Sequence, residues 1–186
     1  MTELRLHISP GFLLAAAALY YVGGARLLGA VILADSAHEL GHIAALHLTG
    51  AELRRLRLHG GGAVLECTGL RSRSDELWIV AAGPLAGLAV ALVCLALGTP
   101  FARFTAAAAL LATGFNLLPA LPLDGGRLAW LLVSGMTTAH TADIILRISG
   151  CLCAAWIMAL GIHLRAVAAV AAGIYLAVLV NFPSLR

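Results

Sequence analysis

The sequence predicts an all-α polytopic membrane protein with about six transmembrane helices and a small membrane-associated β-hairpin between the second and third. Composition is the first observation behind this. Of 186 residues, 61% are hydrophobic and 11% charged, and mean hydropathy is +0.97. A soluble domain of this length needs more polar residues to cover its surface. The second observation is the recurrence of apolar runs near the ~20 residues that cross a bilayer as helix. The third is that polar residues concentrate in one stretch, 49–76. The chain is expected to form a single domain, 1–186, with neither a PDZ nor a CBS domain.

The segments follow in order. The first runs over 10–24 and is short for a span, with Tyr20 and Tyr21 suited to an interface. The second covers 27–48. In the polar stretch, "ELRRLRLH" and "AVLECTGL" flank Gly60, Gly61 and Gly62, a hairpin pattern over 53–70. Further apolar segments are expected at 77–97, 104–118, 142–163 and 166–182, with a shorter piece at 128–136. Trp78 and Trp130 lie at segment edges, as an aromatic belt requires.

The net charge of +3 comes from arginine alone, because the chain has no lysine. If all six segments cross, Arg5, Arg54, Arg55, Arg57, Arg71, Arg73, Arg127 and Arg186 share one side with both ends of the chain. Arg26, Arg103 and Arg165 take the other side. The positive-inside rule then places both ends in the cytoplasm, in a bacterial cytoplasmic membrane. Outside one Arg-rich loop there is no basic face, so nucleic-acid binding is not expected. Cys67, Cys94, Cys151 and Cys153 show no CxxC spacing, and the last three lie in apolar runs as small hydrophobes.

Chemistry concentrates in "HELGH". His38 and His42 are four residues apart and so share one helical face. Two neutral imidazoles so placed can hold one zinc ion, and Glu39 can serve as general base toward a water that the metal activates. Ionisable residues inside a span are functional by default. Asp35, one turn before His38, caps or lines a wet cavity, or hydrogen-bonds an imidazole from outside. His47 is 500° of helix past His42 and faces at least partly away.

A catalytic zinc site needs a third protein ligand. Candidates are His59 and Cys67 in the hairpin, His140 and Asp143 before the fifth segment, and Asp124 in "NLLPALPLDGGR". Pro119 and Pro122 interrupt a helix there, and Gly125 and Gly126 permit close approach. Broken backbone at membrane depth is tolerated inside protein or around a cavity. On these grounds Asp124 reads equally as a ligand and as part of an ordinary turn, since Pro-Leu-Asp-Gly-Gly is good turn chemistry.

"HELGH", then "AAGPLAG", then "FNLLPALPLDGGR", together resemble the site-2 protease family of intramembrane zinc metalloproteases, within it the branch typified by the stage IV sporulation protein FB. The family's signatures are HExxH and a downstream NxxPxxPxDGG, matched by His38, Glu39 and His42, then by Asn116, Pro119, Pro122, Asp124, Gly125 and Gly126. The resemblance covers roughly residues 8–182. It implies one zinc ion per chain held by His38, His42 and Asp124, with Glu39 as general base. It also implies substrate positioning by Asn116 with Pro119 and Pro122, and a membrane-anchored protein as substrate. The family commonly carries an Asn shortly after its Gly-Pro, whereas Gly83-Pro84 is followed here by Leu85-Ala86-Gly87.

A hairpin beside the site offers an extended substrate segment a strand to pair with, testable by proline at Leu58 or Leu65. If the second helix ends near His47, His42 lies about 7.5 Å inside it. Two other readings use the same residues. A metal-ion transporter or channel would show inverted repeats, which the sequence lacks, and a catalytically dead scaffold would have lost metal or base residues.

Overall fold

The computed structural model describes residues 5–59, 62–70 and 72–181. Its elements are β1 (Arg5–Ile8), α1 (Pro10–Thr49), β2 (Glu52–His59), β3 (Gly62–Thr68), α2 (Arg73–Leu97), α3 (Pro100–Asn116), α4 (Asp124–Met136), α5 (Ala139–His163) and α6 (Val167–Asn181). Three of these helices, α1, α2 and α5, are long and apolar enough to cross a membrane. Each 25-residue helix, α2 or α5, spans about 37 Å against a hydrocarbon core of ~30 Å.

The first and second expected segments are one continuous element with a break. Gly24 has φ 64° and ψ −165°, a conformation that only glycine adopts at low cost. The stretch before it, 10–23, is about 21 Å long, and the stretch after it, 25–49, about 37 Å. Helix starts differ from the hydropathy reading in one consistent way. Ser72 accepts from the Asp75 N–H, Thr99 from the Ala102 N–H and Thr138 from the Thr141 N–H. Each cap lets the helix begin three or four residues before its apolar run. The piece expected at 128–136 likewise starts at Asp124, whose charge suits a helix N-terminus.

The chain divides into two compact units, residues 1–113 and 114–186. In the first, the expected hairpin is present, although Gly60 and Gly61 lie outside the described residues. Arg54 and Arg55 interrupt the alternation of β2, and the ladder shifts register there, between Leu53 and Arg55, where one extra residue must be accommodated. Glu66, on β3 opposite Arg55, pairs with both Arg55 and Arg57. The sequence reading missed β1. It pairs with β2 in parallel, so β2 is the central strand. Four residues with a partner fifty positions away carry too little local pattern to be seen.

Leu46, Ala51 and Ile79 form a buried cluster with Leu53 and Cys67 packed on it. This ties the base of the hairpin to the ends of α1 and α2. Helices α1 and α2 meet through small residues. A Cβ on Gly41 would stand 2.4 Å from the Ala82 carbonyl oxygen and 2.6 Å from the Ala86 methyl. Such close backbone approach is the usual basis of helix association in lipid.

In the second unit, Ala120, Leu123, Ala154, Leu176 and Val180 form the core. They bring the proline-rich loop against α5 and α6. Large apolar side chains such as Leu152 and Trp156 of α5 remain exposed, as lipid-facing positions do.

Candidate metal centre

His38 and His42 both lie on the buried face of α1, 5% and 7% exposed. Their rings meet edge to face, with centroids 4.9 Å apart. The His42 Nδ1–H donates to the Ile79 carbonyl at 2.7 Å. This fixes the tautomer and leaves the lone pair of Nε2 available to a metal. The two Nε2 atoms stand 3.2 Å apart. Two nitrogen ligands at ~2.0–2.1 Å from one tetrahedral zinc are about 3.3 Å apart. The pair therefore fits such an ion, and without one the same spacing serves a hydrogen bond between the two rings. Glu39 is half-buried. It is 100° round the helix from His38 and one turn before His42, beside the pair rather than between the two nitrogens.

The seat of the pair is α2, which sequence reasoning left without a role in the site. A Cβ on Gly83 would stand 2.2 Å from His42 Nε2. At Gly87 an added Cβ would meet Thr113 Oγ1 at 2.4 Å and His38 Nδ1 at 3.7 Å. The missing side chains of Gly83 and Gly87 leave room on α2 beside which α1 presents both imidazoles. The small-xxx-small spacing of "GPLAGLAVA" is the signal that could have revealed it.

The remaining candidates sort as follows. Asp124 is the first residue of α4, half-buried. The loop before it is tightly folded. Cβ atoms on Gly125 and Gly126 would stand 2.1 Å from the Leu117 carbonyl oxygen and 2.3 Å from the Ala120 carbonyl carbon. Both glycines are thus required sterically, as the turn reading and the ligand reading alike expect. Pro122 follows a cis peptide bond, and Pro119 is exposed. Asn116 ends α3 and makes no side-chain hydrogen bond among the described residues.

Asp143 accepts a hydrogen bond from the Trp130 indole at 2.8 Å, and His140 is exposed. Cys67 packs in the apolar cluster below the histidines. His47 is exposed, as its place on the helix predicted. Asp35 is exposed too and hydrogen-bonds neither imidazole among the described residues. Because α1 continues to Thr49, His42 lies about 10 Å from its end, somewhat deeper than the expected 7.5 Å.

No protein-family model matches the chain. The stage IV sporulation protein FB of Bacillus subtilis (strain 168) is 32% identical over 160 residues, covering 81% of this chain and 55% of that protein. The chain thus spans little more than half the length of the curated relative it matches. The solved structure of the site-2 protease from Methanocaldococcus jannaschii has a TM-score of 0.78 over 97% of this chain and 91% of that one, at 21% identity, so the two share a fold. The chain is thus similar in sequence to the sporulation protein over most of its own length and has the fold of the archaeal site-2 protease.

Proposed function

We propose that the chain is an intramembrane zinc endopeptidase that hydrolyses peptide bonds within or near the transmembrane segment of a membrane-anchored protein. The observation that carries this reading is the pair of imidazole nitrogens, 3.2 Å apart, on one buried helix face beside a carboxylate. His38 and His42 supply two ligands. Asp124 supplies the third by its place in the second family motif. It is supported by its position at a helix start immediately after a broken backbone. One zinc ion per chain, when bound, supplies Lewis acidity toward the scissile carbonyl and lowers the pKa of water.

The protein's own groups do the rest. Glu39 takes a proton from the attacking water and later delivers it to the leaving amine. The Ile79 carbonyl holds the His42 ring. Asn116, Pro119 and Pro122 hold the substrate backbone near Asp124. A transmembrane helix hides its peptide bonds, so the substrate must enter extended. Strand β3 is at the edge of its sheet, anchored through Cys67, and through Leu53 opposite it on β2, to the cluster containing Leu46, one turn beyond His42. An extended segment can add to that edge. Water enters from the cytoplasmic side, where the hairpin arginines and both ends of the chain are placed by charge. Of the arginines behind that orientation, Arg71 and Arg186 lie outside the described residues.

The test uses purified chain in proteoliposomes with a panel of single-span membrane peptides, read by mass spectrometry. Cleavage that a chelator removes and zinc restores is expected. Zinc transport across the vesicle wall without cleavage would instead establish the carrier reading. The role of β3 has its own test. Leu58 lies in the central strand, so proline there breaks two ladders. Leu65→Pro in the edge strand is the cleaner variant, and it is expected to reduce cleavage with zinc content unchanged. Undiminished turnover would remove the strand-addition step.

A further inference from the structure

Thr113 is 2% exposed and lies on α3. Threonine hydroxyls in helices normally bond the carbonyl four residues back. Thr49, Thr105 and Thr137 all do so here, to Ala45, Phe101 and Val133. The Thr113 hydroxyl does not. It is buried with no hydrogen-bond partner among the described residues. It points instead at the gap left by the missing side chain of Gly87, where an added Cβ would stand 2.4 Å from Thr113 Oγ1 and 3.7 Å from His38 Nδ1. The hydroxyl and the imidazole nitrogen thus flank the same point on α2.

We propose that Thr113 is a positioning residue for His38. The Thr113 hydroxyl and His38 Nδ1 do not bond each other directly; one bridging water accepts from Nδ1–H and donates to the hydroxyl, and so holds the tautomer that presents Nε2 to the metal. The Ile79 carbonyl serves His42 in the same way. Each imidazole thereby has an acceptor behind it, one from the backbone of α2 and one a water held by a side chain of α3. Gly87 is glycine because anything larger would displace that hydroxyl. The inference rests on the zinc reading above and deepens it.

The experiment compares wild type, Thr113→Val and Thr113→Ser as full-length chains in detergent. Zinc affinity is measured by competition with a chromophoric chelator, and the melting temperature of each metal-free chain is measured alongside. Valine keeps the shape and removes the hydroxyl, whereas serine keeps the hydroxyl. Zinc binding by Thr113→Val is expected to weaken roughly tenfold, the low end for loss of an outer hydrogen-bonding partner. Thr113→Ser is expected to bind as wild type does, and the metal-free melting temperatures to agree. Equal affinity in wild type and Thr113→Val overturns the role of Thr113 and leaves the zinc site standing. Equal weakening in both variants assigns the effect to packing and also overturns it. A wild-type chain that binds no zinc overturns the zinc reading itself.

Discussion

Gly83→Ala is expected to abolish zinc binding while the helices remain folded. The added methyl would stand 2.2 Å from His42 Nε2, where the lone pair is to meet the metal. The ring cannot simply turn aside, because its Nδ1–H is held by the Ile79 carbonyl at 2.7 Å and both histidines are buried. Displacing a ligand exceeds the roughly 10–100-fold cost of disturbing an outer partner. Alanine is also the better helix former, by about 0.5–1 kcal/mol, so secondary-structure propensity gives no reason for unfolding. Elemental analysis for zinc, with circular dichroism as the control for fold, checks this. Full zinc content in the variant would show that the α1–α2 contact does not shape the site.

Glu39→Gln carries the second large effect. The amide keeps the size of the carboxylate and cannot take up a proton. Cleavage is expected to fall by roughly 10²–10⁴-fold, the usual contribution of a general base. Zinc content should stay at the wild-type level, because Glu39 is not among the proposed ligands. Cleavage at the wild-type rate would sink the proposed mechanism. Loss of zinc would reassign Glu39 to holding the metal or its ligands. The zinc-loaded, inactive variant is also the natural trap for substrates in native membranes.

The two exchanges probe different kinds of information. That His38 and His42 share one face of a helix beside Glu39 was legible because spacing along a helix is a local property, fixed by 3.6 residues per turn. The hairpin was legible from alternation and glycines, and the extra arginine in "LRRLRL" marks the bulge. Asp124 was only half legible, since good turn chemistry and a metal ligand ask for the same residues. Helix starts were read late because hydropathy registers the apolar run and not the cap. Ser72, Thr99 and Thr138 were present in the sequence as the missing signal.

By itself the sequence determined that this is a membrane protein of apolar helices, with two imidazoles on one helical face and a carboxylate beside them. Each follows from composition or from spacing along one helix. Only the tertiary structure decided what surrounds those imidazoles. Ile79, Gly83 and Gly87 are separated from the histidines by the hairpin, and Thr113 by a further helix. They come together through packing of α1 against α2 and the burial of one face of α3. Where a missing side chain makes room for an imidazole, as Gly83 does for His42, what matters is a distance between helices. No periodicity along the chain records that distance.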